Sequence, residues 1–363
     1  MEWTKERIAK LCLAHFDGFG SRSLRKLFSF FPNPSDAWRA SPSSLLRAGI
    51  TEPVALKFCV WRKEIDAEKL IARLEQDKIA VLFTTDPQYP QLLRASADPA
   101  EILFVRGTLT ERPAVALVGT RHMTAYGREC VTRLVPGLVQ AGLATVSGLA
   151  LGIDGLVHQE TLNHHGVTVA FLGTGVDEAS IYPRAHLKLA HRMIDEGGAV
   201  VSEFPPKSTG LQYHFPMRNR LIASFTNATV VVEAAKESGS LITARCALEE
   251  NREVLAVPGP IWSNQAEGAN HLLKAGAKVC TETQDILDAL SIDSPELVTK
   301  ARTLLPLDPL EEQLLKIMIE PLHVDELQRR LDLDTPTISS RLAMLEMKGL
   351  VKSLGGQSWI KSG

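Results

Sequence analysis

The sequence predicts an α/β protein built on a doubly wound, Rossmann-like parallel sheet, with an all-α N-terminal domain and a C-terminal winged helix. Helical stripes separated by turns fill residues 1–75, and six short apolar runs alternate with stretches of helical length over 78–292. After a linker at 293–309, residues 310–363 show three helical patterns and two short strand patterns. Apolar runs without polar alternation indicate strands that are covered on both faces, as in parallel sheets.

The composition is that of an ordinary soluble globular protein. The chain has 363 residues, of which 45% are apolar and 23% charged, with a net charge of -2. Such a length favours two or three domains, and such a balance means that attraction to a polyanion must come from a local patch. Five scattered cysteines without a CxxC pair predict reduced thiols in a cytoplasmic protein and no zinc site.

No targeting or membrane segment is predicted. The N-terminal stretch "MEWTKERIAKLCLAHF" carries acidic residues among its apolar ones, which is not typical of a signal peptide. Apolar runs stay well short of the roughly 18 residues that a membrane-spanning helix needs. We therefore expect no membrane partner.

The N-terminal domain is predicted to resemble a SAM or helix-hairpin-helix fold. "TKERIAKLCLAHF" has apolar residues at helical spacing, and "SRSLRKLFSFF" predicts a second helix with Ser21 or Ser23 as its N-cap. "SPSSLLRAGI" and "TEPVALKFCVW" each combine a cap, a proline and a short helix. The turn "FDGFGS" has the glycines of a phosphate-binding hairpin, although any tight interhelical turn needs glycines.

Six apolar runs predict the strands of the central sheet. They are "VALVG" (115–119), "ATVSG" (144–148), "VTVAFLG" (167–173), "AVVSEF" (199–204), "ATVVVEA" (228–234) and "EVLAVPG" (253–259). Ligands of doubly wound sheets bind beyond the carboxyl ends of the strands. The turns that follow these runs are therefore expected to crowd one edge and to form the functional site.

Small residues join two of these strands to the helices that follow. At such a junction a ligand approaches the backbone closely, and the first-turn N–H groups and the helix dipole favour a phosphate. The residues concerned are Ser147, Gly148, Ser238, Gly239 and Ser240, with a further hydroxyl from Thr243. Serine and glycine are also good N-cap residues, so a purely structural role stays open.

Basic side chains occur in the loops of the same predicted edge. Fixed guanidinium groups beside helix N-termini make a phosphate site. The predicted nucleic-acid ligands here are Arg121, Lys207, Arg218, Asn219, Arg220 and Lys236. Neighbouring aromatic residues suit a single strand, whose exposed bases stack: Tyr182, Phe204, Tyr213 and Phe215. The alternative is that Arg218 and Arg220 form structural ion pairs with Glu203 and Glu233.

The sequence lacks the motifs of several enzyme classes. It contains no GxxxxGK[ST], GxSxG or HExxH, and Glu178 stands where a dinucleotide fingerprint has its third glycine. We therefore predict a binding protein rather than an enzyme, with no cofactor and no metal. The alternative is a Rossmann-like hydrolase in which Asp154 or Glu233 acts on the ribosyl bond of a nucleoside monophosphate.

The C-terminal pattern predicts a winged helix. "LEEQLLKIM", "HVDELQRRL" and "DTPTISSRLAMLEMKG" form its helices, and "LVKSLGGQSWIKS" forms two strands around a Gly-Gly turn. The third helix occupies the position that reads DNA in winged-helix proteins. Side chains that read bases are nearly absent from it, which argues against a regulator of duplex DNA and leaves a docking or accessory role open.

Many ordered motifs together resemble the DprA/Smf family of DNA-processing proteins. They include "LVGTR", "SGLALGID", "GTGVD", "SEFPP", the arginine-rich "FP-RNRLIA", "KESGSLITA" and "NREVLAVPG", and they cover residues 100 to 280 densely. The helical N-terminus and the winged-helix tail agree with the same family. The sequence departs from the usual "GLARGID" at Leu151, and "DGLVHQETL" replaces part of another usual motif.

The resemblance implies a cytoplasmic protein that binds single-stranded DNA. It further implies dimerisation through the Rossmann-like domain, protection of incoming DNA, and help in loading the RecA recombinase during natural transformation. The residues that it assigns to DNA binding are Arg121, Lys207, Arg218, Asn219, Arg220, Ser238, Gly239 and Ser240. Because Leu151 replaces the usual arginine, the binding edge is expected to carry one cation fewer.

Overall fold

The computed structural model divides the chain into two compact units, Met1–Ser291 and Ile292–Gly363. It describes residues 2–291, 308–318, 320–331, 333–347 and 350–361, so the predicted linker lies almost entirely outside the described residues. The first unit combines the N-terminal helices with the large sheet. Because both lie in one unit, the domain boundary near residues 75–78 stays a prediction.

The N-terminal region forms six helices in the described residues. Their bounds are α1 Lys5–Ala14, α2 Ser21–Phe30, α3 Pro34–Arg39, α4 Pro42–Arg47, α5 Glu52–Trp61 and α6 Ala67–Gln76. The sequence predicted α1, α2, α4 and α5 from their caps and apolar stripes, and it did not predict α3 and α6. The prediction of Ser21 or Ser23 as the cap of α2 is wrong, because Gly20 is the N-cap and makes no side-chain bond. The Ser21 hydroxyl instead donates to Glu203, a partner far away in the sequence.

The central sheet has nine strands in the described residues. Their bounds are β1 Ala80–Phe83, β2 Ile102–Gly107, β3 Ala114–Val118, β4 Ala144–Ser147, β5 Thr168–Phe171, β6 Ala199–Ser202, β7 Ala228–Val231, β8 Glu253–Ala256 and β9 Lys278–Val279. All six predicted strands are confirmed as β3 to β8, and they are parallel to their neighbours in that set. The sequence did not predict β1, β2 and β9.

The strand order is β1-β2-β6-β5-β4-β3-β7-β8-β9. Strands β1 and β2 are antiparallel additions at one edge, and β2 pairs with β6 in antiparallel register. From β3 the chain first winds outward through β4, β5 and β6, and then returns to pair β7 on the other side of β3. This reversal between β3 and β7 is the topological switch point, beside which ligands bind in doubly wound sheets.

Helices cover the sheet on both faces, as the apolar strands predict. Their bounds are α7 Gln91–Arg94, α8 Ala125–Gln140, α9 Ile153–Asn163, α10 Leu187–Asp195, α11 His214–Phe225, α12 Gly239–Glu249, α13 Glu267–Lys274 and α14 Thr283–Ala289. One hydrophobic core joins the N-terminal helices, α9 and α10 to the first face. A second core joins α7, α11, α12 and α13 to the other. No helix among the described residues is long and apolar enough to cross a membrane.

Ion pairs also join the N-terminal helices to the segments around the central sheet. Arg25 lies 2.6 Å from Asp98 and 3.5 Å from Glu101, while Arg220 lies 2.6 Å from Glu203 and 3.2 Å from Asp98. We call these five residues, together with Ser21, the acidic interface. Every cation in this group has at least one carboxylate partner.

The second unit has the predicted winged-helix elements. They are α15 Pro309–Ile317, β10 Leu322–His323, α16 Val324–Leu331, α17 Thr335–Met347, β11 Val351–Gly355 and β12 Ser358–Lys361. The strands pair in the order β10-β12-β11, so β10 adds a strand that the sequence did not predict. Gly355 and Gly356 have positive φ values of 82° and 56°, which explains why glycines make the turn of the hairpin.

Candidate nucleic-acid interface

A cleft of about 800 Å³ opens at the carboxyl edge of the sheet, beside the switch point. Its walls come from the loop after β3, from α11 and from the N-terminus of α12. Seven of the predicted site residues line it: Arg121, Arg218, Asn219, Ser238, Gly239, Ser240 and Thr243. The structure therefore brings these seven predicted residues together in one cleft, and their role in DNA binding stays a prediction.

Arg121 is the exposed cation of the cleft. It lies in the loop after β3, and its guanidinium carbon lies 5.7 Å from the centroid of the Phe215 ring. In the described parts of the chain, no carboxylate lies within ion-pair distance of it. A guanidinium that an aromatic face supports and no acid neutralises is available to a phosphate.

Arg218, by contrast, forms part of the floor beneath the cleft. It is 4% exposed, and its guanidinium donates to the carbonyl oxygens of Gly148, at 2.8 Å, and Phe171. Burial, opposed by the Asp154 charge and aided by the Arg121 charge, lowers the pKa of Arg218 to about 10. The side chain is charged at neutral pH, so it gives the floor a fixed positive charge.

Asn219 connects this arginine to the N-terminus of α12. Its Oδ1 accepts from Arg218 Nε at 3.1 Å, and its Nδ2 donates to the Gly239 carbonyl oxygen at 3.0 Å. Ser238 is the N-cap of α12, and its hydroxyl accepts from the Ser240 N–H at 3.4 Å. The arrangement fixes the first turn of α12 against the cleft, where its N–H groups and dipole favour an anion.

Ser147 and Gly148 lie below the cleft rather than in its wall. Ser147 is fully buried, and its hydroxyl donates to the Leu117 carbonyl oxygen at 2.7 Å. A Cβ on Gly148 would stand 2.5 Å from the Arg218 guanidinium, so this position needs glycine for a close approach of backbone and side chain. Both residues therefore support the site through packing.

Three predicted cations lie outside the lining of the cleft. Lys207 is exposed in the loop after β6, where its N–H donates to Asp177 at 2.7 Å. Lys236 is also exposed, with its Nζ 3.9 Å from Glu267 Oε1. Arg220 belongs to the acidic interface, where it forms the ion pair with Glu203 that the structural alternative predicted. A role of these three cations in DNA binding stays a prediction.

The side chains of Arg218 and Arg220 point in different directions because the two residues lie two positions apart in the same helix, α11. The helix begins at His214, so it includes both arginines. Residues two apart on an α-helix point to nearly opposite sides, since each step rotates the side chain by about 100°. One arginine therefore reaches the cleft and the other reaches the N-terminal helices.

The carboxylates proposed for hydrolysis both hold the backbone in place. Glu233 is buried and accepts from the Thr124 N–H at 3.0 Å and from the Thr124 hydroxyl at 2.6 Å. Asp154 accepts from the Gly148 N–H at 3.1 Å, and burial raises the pKa of Asp154 while the Arg218 charge opposes that rise. Among the described residues, no group of three His, Cys, Asp or Glu side chains is arranged to hold a metal.

Two of the four predicted aromatic residues line the cleft, and the other two pack against His214. Phe215 lines the cleft, and the exposed Tyr182 ring lies 6.0 Å from it, centroid to centroid. Phe204 instead stacks on His214 at 3.9 Å, and Tyr213 meets the edge of that imidazole. Two rings are thus placed beside the cation Arg121.

Sequence reasoning missed several polar residues of the cleft. They are Thr120, His122, Gln212, Glu237 and Gln265. Thr120 and His122 flank Arg121 after β3, so the rule that strand ends carry the site would have found them. Gln212 and Gln265 come from long loops, and no local pattern marks them.

Leu151 lies beside the cleft, where the resemblance leads one to expect an arginine. It is 48% exposed and lines a small recess shared with Arg121, Tyr182 and Arg218. The chain therefore presents an apolar surface at this point, as the departure from the usual motif predicts.

Comparisons with known proteins agree with this architecture. Residues 80–291 match the family model of DNA recombination-mediator protein A, and residues 298–357 match the DprA winged helix domain. The protein Smf of Escherichia coli is 37% identical over 86% of this chain and 85% of its own length. The DNA processing protein DprA of Streptococcus pneumoniae is 41% identical over 67% of this chain and 95% of its own.

Solved structures give the same result. The X-ray structure of DprA from Streptococcus pneumoniae has a TM-score of 0.65 and 32% identity, and the match covers 79% of this chain and 98% of that one. A structure of DNA processing protein A from Helicobacter pylori, described for its single-stranded DNA binding mode, has a TM-score of 0.52 and 26% identity over 59% of this chain and 96% of that one. The chain belongs to the DNA recombination-mediator protein A family.

Proposed function

We propose that this protein binds single-stranded DNA through the cleft at the carboxyl edge of its sheet. The observation that carries the proposal is the exposed, unneutralised Arg121 in the same cleft as the N-terminus of α12. A guanidinium and a helix N-terminus together suit the phosphate backbone, which supplies most of the affinity for nucleic acid. The relative from Helicobacter pylori, which shares this fold, has a single-stranded DNA binding mode of its own.

Aromatic rings beside the cation favour a single strand over a duplex. Phe215 and Tyr182 offer faces on which unpaired bases stack, and each stacked base contributes about 1 to 3 kcal/mol in single-strand binders. Bases in a duplex are already stacked on one another, so the same rings gain little there. We therefore expect the protein to prefer single strands.

The cellular role that we infer is a recombination mediator of natural transformation. The protein protects incoming single strands and helps to load the RecA recombinase, and it acts in the cytoplasm as a homodimer formed through the Rossmann-like domain. Support comes from the family, whose model describes a recombination mediator, and from the five free cysteines, which fit a reducing compartment. Sedimentation tests the dimer, and RecA filament formation on protein-coated strands tests loading.

Fluorescence anisotropy with labelled single-stranded and duplex DNA at several salt concentrations tests the binding proposal. We expect tighter binding to the single strand, with an affinity that falls steeply as salt rises because counterions are released. Equal affinity for both forms would contradict the proposal.

Arg121→Ala locates the site on the cleft. We expect weaker binding and a salt slope that is smaller by about 0.7, the value for one phosphate contact on a single strand. Arg112→Ala is the matched control, because Arg112 is an exposed arginine in the loop before β3, at the opposite edge of the sheet. If both variants change the slope equally, the cleft is not the site.

The hydrolase remains the alternative function, and its test is separate. Release of free base from nucleoside monophosphates, lost in Asp154→Asn or Glu233→Gln, would establish it. The geometry favours binding, because both carboxylates already accept hydrogen bonds from the protein backbone.

A further inference from the structure

An exposed tryptophan stands at the tip of the loop between β8 and α13. Trp262 is 91% exposed and its neighbour Ile261 is 78% exposed, with no ring or hydrogen-bond partner for the indole among the described residues. A tryptophan side chain is rarely exposed to this extent, since burial of its ring is strongly favourable. An aromatic side chain so exposed calls for a ligand that covers it.

The loop holds this tryptophan in a defined position. The Ser263 N–H donates to the Pro260 carbonyl oxygen at 2.9 Å, so Ile261 and Trp262 are the two central residues of a turn. Central turn positions usually carry Gly, Asn, Asp, Ser or Pro, which makes two large apolar residues there unusual. Asn270 fixes the base of the loop, through bonds of 3.2 and 3.0 Å to the N–H and carbonyl oxygen of Gly259.

The same loop continues into the wall of the cleft. Gln265, three residues beyond Trp262, lines the cleft beside the N-terminus of α12. Its Oε1 is buried and has no hydrogen-bond partner in the described residues, so this acceptor is left unsatisfied beside the cleft. A strand that leaves the cleft beside Gln265 would therefore meet the loop that carries Trp262.

A cation accompanies the tryptophan along this side. Lys236 lies in the loop before α12, and its Nζ is 3.9 Å from Oε1 of Glu267, the first residue of α13. This contact joins the loop before α12 to the end of the loop that carries Trp262. Its side chain is 79% exposed, so the ion pair is weak and the ammonium is accessible to a phosphate. Cations interleaved with aromatic rings are typical of surfaces that follow a single strand.

We propose that Trp262 is a base-stacking contact for single-stranded DNA where the strand leaves the cleft over the loop between β8 and α13. The inference rests on the proposed function of the cleft and extends the footprint beyond it. Stacking on an indole face tolerates any base, as a protein that accepts strands of any sequence requires.

The test compares a long oligothymidylate with a trinucleotide too short to leave the cleft. We expect Trp262→Ala to weaken binding of the long strand roughly tenfold, the size expected for one lost stacked base. Binding of the trinucleotide stays unchanged, and Trp262→Phe restores most of the affinity. Leu248→Ala is the control for removal of an exposed apolar side chain, since Leu248 is 58% exposed near the end of α12.

Two further measurements separate stacking from other roles. A long strand without bases should bind the wild type and Trp262→Ala equally, and DNA should quench tryptophan emission less in Trp262→Phe. Equal loss for the long strand and the trinucleotide, or a weaker dimer in Trp262→Ala by sedimentation, would overturn the proposal. If the wild type binds neither DNA, the proposed function of the cleft fails instead.

Discussion

The two sides of α11 each carry an arginine, and the two arginines have different kinds of partner. On one side Arg218 faces the floor of the cleft, where its partners are backbone carbonyl oxygens. On the other side Arg220 joins the acidic interface, with Glu203 2.6 Å and Asp98 3.2 Å away. Carbonyl oxygens hold an arginine without removing its net charge, whereas carboxylates neutralise it.

This difference explains why only one side suits a polyanion. The cleft keeps the positive charge of Arg218 and Arg121 beside a helix N-terminus, and the nearby Asp154 offsets part of it. The acidic interface uses its cations to hold the N-terminal helices against the sheet. An arginine near a cleft is therefore informative only once its partners are known.

The largest effect is expected from removal of Arg218. Arg218→Ala leaves the carbonyl oxygens of Gly148 and Phe171 buried without donors, so we expect the free energy of unfolding in urea to fall by about 3 kcal/mol. DNA affinity falls as well, because the floor of the cleft is lost. Arg218→Lys retains the charge but reaches fewer acceptors, and it should be intermediate. Normal stability with lost binding would mean that Arg218 contacts phosphate directly.

Removal of Arg220 tests the other side of the comparison. Arg220→Ala leaves the buried Glu203 carboxylate without its cation, which should lower the free energy of unfolding by about 2 kcal/mol. Affinity for single-stranded DNA should stay unchanged. Adding Glu203→Gln to that variant should recover part of the stability, because no unpaired charge is then buried. A DNA defect equal to that of Arg121→Ala would erase the distinction between the two sides.

The stability of the protein in acid gives a further test of the comparison. The positive charge of Arg218 at the floor of the cleft disfavours protonation of the buried His158. His158 is fully buried, and burial, aided by the His186 and Arg218 charges, lowers the pKa of His158 from 6.5 to about 3. The unfolded chain takes up this proton at a higher pH than the folded protein does. The contribution of neutral His158 is therefore fully present above about pH 6.5 and is lost as the pH falls toward 3.

The measurement is the free energy of unfolding against pH for the wild type and His158→Asn. Relative to its own value at neutral pH, the variant should lose less stability on acidification, by about 1.4 kcal/mol per pH unit within that window. Parallel profiles would show that His158 takes up its proton in the folded state as readily as in the unfolded chain.

The smallest effect is expected from a methyl group at the first residue of α12. A Cβ on Gly239 meets no atom within 4 Å, so Gly239→Ala should fold normally while it fills space in the cleft. We expect the DNA affinity to fall about fivefold, since a phosphate approaches such a helix N-terminus closely. The free energy of unfolding of Gly239→Ala is the control, because an unchanged value shows that the methyl group acts on the cleft and not on the fold. An affinity equal to that of the wild type would place the phosphate elsewhere.

The strands of the central sheet could be predicted because their signal is local. A run such as "ATVVVEA" is apolar on both faces, and this alone indicates a buried parallel strand. The rule that ligands bind at strand ends then selected Arg121 and the Ser238-Gly239-Ser240 turn, all of which line the cleft. Strands β1 and β2 escaped prediction because they lie outside the strand-helix alternation and pair in antiparallel register.

The sequence by itself determined the fold class, the edge of the sheet at which the cleft opens and most of the cations near that edge. Only the tertiary structure decided which of those cations remain available. Arg220 is neutralised by Asp98 and Glu203, and Ser21 of another helix completes that contact. Periodicity and strand-end rules depend on neighbours along the chain, whereas neutralisation depends on carboxylates that distant segments bring within a few ångströms.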